Sequence, residues 1–265
     1  MLQPGSNIMV EFQMPKEAEV GTTIELRCEW HLLGGSLYSV KWYKDDHEFF
    51  RYLPDGAQKT LIFPRPGVKV EKQPSSEQQK LIRLKDLVLQ SSGQYKCEVS
   101  TEAPSFATTY QTANLTVISL PKRGPEITGL SLQYAVGENV TANCSAWPSV
   151  PKANLRWTIN GDPVPLENTV QHPPLEPMSN GEIPNSLGLR LMIEPRHFTS
   201  GGAILIKCIT EVGSQMFEVD RKVMKAYANN QRLSAGDIHA AARSIRAGLL
   251  APLLTAILAL VLLTT

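Results

Sequence analysis

Apolar and polar residues alternate along several short stretches of this chain, and that period of two predicts half-buried β-strands rather than helices. The inward-facing members of the clearest alternations are Ile24, Leu26 and Cys28, then Val40 and Trp42, and further along Val140, Ala142 and Cys144. The chain has 19 prolines and 18 glycines in 265 residues, which suits short strands joined by many turns. The pattern therefore predicts an all-β protein.

Cysteine and tryptophan recur in the same order in both halves of the sequence. The first frame is Cys28, Trp42 and Cys97, and the second is Cys144, Trp157 and Cys208. A disulfide between two sheets, packed against a buried tryptophan, is the hallmark of the immunoglobulin sandwich. We therefore predict two tandem immunoglobulin-like β-sandwiches, each with one disulfide and one core tryptophan.

The first frame has two further features of a variable-type domain. Tyr95 precedes the second cysteine at the offset of the tyrosine corner, in which the phenol bonds to upstream backbone and the ring is part of the core. Ser91 stands where an aspartate is usual, so an aspartate-based salt bridge is missing there. The wide spacing between Cys28 and Cys97 leaves room for two extra strands, which predicts the variable type.

The second frame is less regular. Ile206 stands where the corner tyrosine would be, and the stretch from Asp162 to Pro184 holds six prolines, which cannot supply regular central strands. We expect that stretch to form a long edge loop. The predicted organisation is a variable-type domain at 8–119, a linker at 120–125, a second immunoglobulin-like domain at 126–227, a polar stalk at 228–247 and a hydrophobic segment at 248–265.

The C-terminal segment is uncharged, and Leu249–Leu263 is shorter than the roughly 20 residues that a spanning helix needs. A small-residue site at Ser234, a polar spacer and a short apolar tail are the parts of a glycosylphosphatidylinositol (GPI) attachment signal. We therefore expect a GPI anchor at Ser234, with a short transmembrane segment as the alternative. Because residues 1–10 contain no apolar stretch typical of a signal peptide, we expect the natural start to lie upstream, with a secreted form also possible.

Three sequons agree with an oxidising, extracellular compartment. They begin at Asn114, Asn139 and Asn143. Each asparagine alternates with inward-facing neighbours, so all three side chains are predicted to point outward, although Asn143 lies beside a disulfide cysteine. The sequence thus predicts a glycoprotein on the extracellular face of the cell membrane.

Composition and motifs give no support for catalysis or for nucleic-acid binding. Lys and Arg number 26 against 25 Asp and Glu, a net charge of +1, which provides no field to recruit a polyanion. The run His47–Arg51 begins like a zinc-protease helix, but Arg51 stands where the second histidine ligand must be. We therefore expect no enzyme activity, no cofactor, no metal and no small-molecule substrate.

A surface of the first domain is the candidate for function. Lys41 and Tyr43 alternate with the core positions of their strand, and Lys96 and Glu98 flank the second cysteine on the same predicted sheet. A sheet face that mixes tyrosine, phenylalanine, arginine and lysine has the composition of protein-binding hot spots. This composition favours a protein partner.

Two runs, Tyr38–Tyr52 and Ser91–Phe106, closely resemble the beaten path (Beat) family of insect neuronal cell-surface proteins. Weaker matches at Leu120–Pro121 and Trp157–Gly161 look like the second domain of that family. The resemblance implies two immunoglobulin domains and heterophilic binding to Sidestep-family receptors on apposed cells, in axon guidance, defasciculation or synaptic partner choice. It carries the partner-binding role to Lys41, Tyr43, Phe50, Arg51, Tyr52, Lys96 and Glu98.

Two alternatives remain open at the level of sequence. The same face could mediate homophilic adhesion, since an isologous contact needs only a self-complementary patch. A glycan-binding lectin is the third possibility, although no sugar-reading arginine or aromatic site can be identified in the sequence.

Overall fold

The computed structural model describes residues 8–71, 80–173 and 175–226. These residues form β-strands joined by loops and by three short 3₁₀ turns at Leu89–Ser91, Leu166–Asn168 and Pro195–His197. Among them, no helix is long and apolar enough to span a membrane. The predicted attachment site at Ser234 and the hydrophobic segment at 248–265 lie outside the described residues.

The first half is a sandwich of a three-stranded and a six-stranded sheet. Its strands are β1 (Ile8–Gln13), β2 (Glu17–Glu19), β3 (Ile24–Leu32), β4 (Leu37–Lys44), β5 (His47–Tyr52), β6 (Thr60–Ile62), β7 (Leu81–Leu84), β8 (Gly93–Thr101) and β9 (Thr108–Ile118). The sheet orders are β1-β3-β7 and β2-β9-β8-β4-β5-β6. Strands β5 and β6 are the two extra strands that define the variable type, as the cysteine spacing predicted.

The core of this sandwich is built around the predicted disulfide. Cys28 and Cys97 are bonded and fully buried, and Trp42 lies between the sheets with Phe12 packed edge-on against it at 5.6 Å between ring centroids. Tyr95 is also fully buried, and its hydroxyl donates a hydrogen bond to the Ser91 carbonyl oxygen at 2.8 Å. The tyrosine corner is therefore confirmed.

Two residues to which the resemblance carried a partner-binding role are part of the core. Phe50 is 2% exposed and Tyr52 is 5% exposed. The register pairs Phe50 with Trp42 and Tyr52 with Val40, and directly opposed residues share a face of the sheet. Because both partners point into the core, Phe50 and Tyr52 must do so as well, and the prediction that they contact a partner is wrong.

The second half is a sandwich of four and five strands. Its strands are β10 (Glu126–Thr128), β11 (Gln133–Tyr134), β12 (Asn139–Ser149), β13 (Asn154–Ile159), β14 (Asp162–Pro163), β15 (Thr169–Gln171), β16 (Ile183–Met192), β17 (Ala203–Val212) and β18 (Gln215–Lys225). The sheet orders are β10-β12-β16-β15 and β11-β18-β17-β13-β14. The disulfide between Cys144 and Cys208 and the buried Trp157 lie in its core, as predicted.

The proline-rich stretch of the second sandwich contributes edge structure and the first residues of β16. Strands β14 and β15 have two and three residues, and each lies at the edge of its sheet. Pro184 falls within β16, but it lies at an irregularity in the pairing with β12 and beyond the residues that β15 covers. Proline is tolerated at such positions because no ladder hydrogen bond is required of it there.

The linker region contacts the second sandwich directly. Residues 8–225 belong to one compact unit, in which each sandwich has its own hydrophobic core. Leu120 packs against a third, small cluster of Ala146, Ala153 and Val212. Ser119 and Val150 form an isolated antiparallel bridge, so backbone pairing joins the end of β9 to the second sandwich.

Candidate recognition surface

The outward side chains of four neighbouring strands in the first sandwich form one continuous surface, called here the ladder face. Its members are Lys41 and Tyr43 on β4, Glu48 and Arg51 on β5, Lys96 and Glu98 on β8, and Tyr110 on β9. The antiparallel register places Lys41 between Arg51 and Glu98, and it places Glu98 opposite Tyr110. Cross-strand neighbours at these positions are close enough to interact directly.

Glu98 holds the centre of the ladder face. Its Oε1 accepts a hydrogen bond from the Tyr43 hydroxyl at 3.1 Å, and Lys41 Nζ lies 3.5 Å from the same oxygen. The side chains of Lys41 and Glu98 are only 24% and 18% exposed. Burial, together with the charge and hydrogen bond of Glu98, raises the pKa of Tyr43, so the phenol remains a hydrogen-bond donor at neutral pH.

Lys96 connects two aromatic rings. Its ammonium lies 4.3 Å from the ring centroid of Tyr43 and 5.5 Å from that of Tyr110. It also pairs with Asp46 at 3.0 Å, in the turn between β4 and β5. A cation within about 6 Å of a ring centroid is attracted to the ring, so this lysine fixes the positions of both tyrosines.

Arg51 forms the other end of the ladder face. Its Nε and Nη2 donate to the two carboxylate oxygens of Glu48 at 2.6 and 2.7 Å, and its guanidinium lies 5.7 Å from the Phe63 ring centroid. The hydrogen bond with Glu48 raises the pKa of Arg51 above its usual value. The bidentate geometry holds the guanidinium plane in one orientation.

The cationic side chains of the ladder face are therefore paired, either within the face or with Asp46 in the adjoining turn. Lys41, Lys96 and Arg51 each have a carboxylate partner within 3.5 Å. Removing an isolated charge from water is costly, and a partner with good geometry offsets much of that cost. A surface with paired charges can thus be covered by another protein at a smaller desolvation penalty than a surface with single charges.

Five of the seven residues predicted for partner contact lie together on the ladder face: Lys41, Tyr43, Arg51, Lys96 and Glu98. Three aromatic residues that were not predicted lie on the same sheet or its loop, namely Tyr38 (50% exposed), Tyr110 (52%) and Phe106 (71%). Tyr110 could have been found, because it alternates with the inward-facing Leu115 of the same strand. Phe106 lies in the loop between β8 and β9, where no periodicity applies.

The three sequons differ in their surroundings. Asn114 and Asn139 are exposed, whereas Asn143 is half-buried. The Asn143 amide nitrogen donates to Ser145 Oγ at 3.2 Å, and its carbonyl oxygen lies 2.8 Å from His172 Nε2. The outward orientation predicted for Asn114 and Asn139 agrees with the structure, while Asn143 is held by neighbouring side chains.

The described residues offer no metal site. Within 8–71, 80–173 and 175–226, no group of three or more His, Cys, Asp and Glu side chains could hold a metal ion. Arg51, at the position where a zinc-protease helix would need its second histidine, is paired with Glu48 on a strand.

Comparison with known proteins identifies the class of the first domain. Residues 11–118 match the immunoglobulin V-set domain. The chain is 36% identical over 81 residues to cell surface glycoprotein CD200 receptor 2 of Mus musculus, a match that covers 31% of this chain and 28% of that protein. The protein therefore contains a V-set domain and has homology to an immunoglobulin receptor of the cell surface.

Solved structures of similar fold extend over both sandwiches. Murine CEACAM1b matches with a TM-score of 0.58 and 17% identity, covering 82% of this chain and 100% of that one. Rst D1-D2 matches with a TM-score of 0.50 and 18% identity, covering 82% of this chain and 98% of that one. At these identities the comparisons show a shared immunoglobulin fold that extends over both sandwiches.

Proposed function

We propose that this protein is a neuronal cell-surface recognition molecule of the beaten path type, which binds Sidestep-family receptors on apposed cells through its ladder face. The observation that carries the proposal is the arrangement of paired charges and exposed aromatic rings on one sheet of the V-set domain. The resemblance of Tyr38–Tyr52 and Ser91–Phe106 to the Beat family supplies the partner class. Binding of this kind would serve axon guidance, defasciculation or synaptic partner choice.

The chemistry of the ladder face suits a protein partner. Tyrosine is enriched, together with arginine, among the residues that contribute most to binding energy in protein interfaces, and Tyr38, Tyr43, Tyr110 and Arg51 all belong to this sheet. Lys96 contacts the rings of Tyr43 and Tyr110, and Glu98 accepts a hydrogen bond from Tyr43, so these two rings are held before a partner arrives. Such preorganisation lowers the entropy cost of association.

The proposal includes a lipid anchor at Ser234, for which the small residues, polar spacer and short apolar tail of the sequence are the support. Anchored molecules cluster in the plane of a membrane, and clustering raises the effective concentration for weak single contacts. Bacterial phosphatidylinositol-specific phospholipase C is expected to release the protein from cells that display it. Retention after treatment, with a known GPI-anchored protein released in parallel, would favour a spanning segment.

The test of binding uses the purified full chain, immobilised and exposed to multimerised ectodomains of Sidestep-family receptors and to a second copy of this chain. The informative variant exchanges a pair of charges, Lys41→Glu together with Glu98→Lys. The opposite charges are still side by side in the variant, so the fold keeps its pair, but a partner meets the reversed pattern. The matched control exchanges Glu25→Arg with Arg83→Glu, a pair at 2.8 Å on the other sheet.

We expect a Sidestep-family ectodomain to bind the natural chain and the control, and to bind the Lys41/Glu98 exchange at least tenfold more weakly. Equal binding by the natural chain, the control and the exchange variant would show that the ladder face is not the binding surface. Binding only to a second copy of this chain would replace the heterophilic function by homophilic adhesion. A correctly folded, disulfide-bonded chain that binds neither would overturn the proposed function.

A further inference from the structure

Phe106 is an exposed aromatic residue in the six-residue loop, Glu102–Ala107, that connects β8 and β9. Its side chain is 71% exposed, and it does not belong to the hydrophobic core beneath it. Exposed single apolar residues are common. Phe106 differs from most of them in its backbone, since its φ is +43°, a left-handed conformation that is unfavourable for a bulky side chain.

The loop is held in this conformation by its own hydrogen bonds. The Phe106 amide donates to the Glu102 carbonyl oxygen at 3.2 Å, and the Glu102 amide donates to the Ser36 carbonyl oxygen at 2.9 Å. Thr101 Oγ1 accepts from the Ala107 amide at 3.1 Å and lies 2.8 Å from Ser105 Oγ. The loop thus presents an apolar ring to solvent in a fixed position.

Phe106 lies at one end of the sheet that carries the ladder face. Its loop joins the two strands that carry Lys96, Glu98 and Tyr110. In the described part of the chain, the exposed large aromatic residues are Tyr38, Phe106, Tyr110 and Trp147. Three of these four lie on this one sheet or on its loop, whereas the opposite sheet of the same sandwich exposes none among the described residues.

We infer that Phe106 is the anchor residue of the recognition surface, and that it inserts into an apolar pocket of a protein partner with a lysine or arginine at the rim of that pocket. This inference rests on the proposed function and deepens it. A strained, exposed aromatic residue supported by a hydrogen-bonded loop is costly for the fold by itself. Burial of the ring in a partner would offset this cost, because it removes the apolar ring from water.

Glu102 is the reason to expect a positive charge at the rim of the partner's pocket. The carboxylates of Glu48, Asp46 and Glu98 all have cationic partners, but the structure gives Glu102 no ion pair with any described residue. Glu102 lies at the start of the same loop, four residues from Phe106. A basic group on the partner would complement it.

The same charges argue against a membrane surface as the occupant. No lysine or arginine occurs between Cys97 and Pro121, so this loop and the strand that follows it carry nothing to attract an anionic lipid headgroup. Peripheral insertion of an aromatic residue is normally supported by nearby basic residues. A protein pocket fits the acidic and apolar character of the loop better.

The test compares the full chain with the variants Phe106→Ala, Phe106→Gly and Met9→Ala. Met9 is the control because it is 47% exposed on β1 of the other sheet. For a receptor that binds the natural chain, we expect both Phe106 variants to lose at least tenfold in affinity and the Met9 variant to stay within twofold. Glu102→Gln should weaken binding and reduce its dependence on salt, because a steering charge is removed.

Thermal unfolding distinguishes a partner-binding role of Phe106 from a role in stabilising the fold. Glycine accepts a positive φ without strain, so Phe106→Gly should unfold at the temperature of the natural chain or higher. A clearly lower unfolding temperature for Phe106→Gly, or natural affinity in Phe106→Ala, would overturn the inference and leave the proposed function intact. Binding to anionic vesicles that depends on Phe106 would also overturn it. Absence of any protein partner for the natural chain would overturn both proposals together.

Discussion

The side-chain amide of Asn143 already has two partners, Ser145 Oγ and His172 Nε2. A glycan attached to its nitrogen would disturb both contacts on a half-buried part of β12. Asn114 and Asn139 are exposed, so a glycan on either would extend into solvent. At the scale of the residue, therefore, the three sequons are not equivalent.

We expect glycans on Asn114 and Asn139 and none on Asn143. In protein made by a secretory cell, Asn114→Gln and Asn139→Gln should each lower the mass by one glycan, because each removes an accessible acceptor. Asn143→Gln should leave the glycan mass unchanged, as measured by mass spectrometry before and after enzymatic deglycosylation. A glycan-sized loss in Asn143→Gln would show that its hydrogen bonds do not protect it when the chain is modified.

The residues of the ladder face show what alternation along one strand can predict. Lys41 and Tyr43 could be placed on the outer face because they alternate with the core residue Trp42. The resemblance carried a partner-binding role to Phe50 and Tyr52, but their face depends on the register with β4, where an irregularity lies between Trp42 and Tyr43. Register is a long-range property, and a slip of one residue moves a side chain to the other face.

At the scale of the element, the 3₁₀ turn Leu89–Ser91 joins several parts of the first sandwich. Ser91 Oγ donates to the Gly67 carbonyl oxygen at 2.6 Å and accepts from the Val88 amide at 3.0 Å. The Ser91 carbonyl accepts from Tyr95. The missing aspartate noted in the sequence is thus replaced by a hydroxyl network, which could not be predicted because Gly67 lies 24 positions away.

Gly67 allows its loop to approach this turn closely. Its φ is +74°, and a Cβ atom there would overlap the Gln90 carbonyl oxygen. We expect Gly67→Ala to lower the free energy of unfolding by about 2 kcal/mol or more, because a left-handed conformation costs alanine about 1–2 kcal/mol and the overlap adds to that cost. Chemical denaturation of the purified chain measures the change.

Gly21→Ala is the matched control for Gly67→Ala. Gly21 has a similar φ of +83° but open space around the position of a Cβ, so its loss should be limited to about 1 kcal/mol from the backbone alone. Equal losses for the two variants would show that the close approach to Gln90 adds no energy. A larger loss at Gly21 would contradict the account of both sites.

The prolines of the second sandwich indicated the edge position of their stretch but not its short strands, since a long loop was expected there. Because proline cannot donate to a ladder, the stretch between Asp162 and Pro184 was expected at an edge, and β14 and β15 are short edge strands. The loop between β8 and β9 was not predictable in this way. Its conformation depends on hydrogen bonds to Thr101 and Ser36, and no period in the sequence encodes them.

At the scale of the whole molecule, contacts between the two sandwiches determine how firmly the V-set domain, with its ladder face, is held on the second sandwich. Pro121 and Pro125 in the linker favour restricted motion, but they give no information about contacts between the sandwiches. The structure shows that Glu17 accepts hydrogen bonds from the Ser214 amide and hydroxyl, the latter at 2.6 Å. Ser119 Oγ donates to Glu182 at 2.7 Å, and this bond lowers the pKa of that carboxyl.

These contacts, together with the packing of Leu120, should hold the linker in one conformation, although its residues Lys122, Arg123 and Gly124 are exposed. Lys122 and Arg123 are the trypsin sites of the linker, and the Arg123 guanidinium lies 4.6 Å from the Trp147 ring centroid. A protease needs the linker to open locally before it can cut. Since each disulfide lies within one sandwich, cleavage there would separate the chain into two fragments that mass spectrometry can identify.

We expect Glu17→Ala to increase the rate of tryptic cleavage in the linker roughly fivefold, because losing about 1 kcal/mol of hydrogen bonding favours the open state by about that factor. Glu19→Ala is the control, since Glu19 is an exposed acidic residue on the same strand β2 and its removal should leave the rate unchanged. If both variants are cut at the natural rate, the two sandwiches are held together by the Leu120 cluster and the Ser119 bridge without help from Glu17. If Glu17→Ala alone is cut faster, the carboxylate at β2 is part of what holds the V-set domain, and with it the ladder face, in a fixed position on the second sandwich.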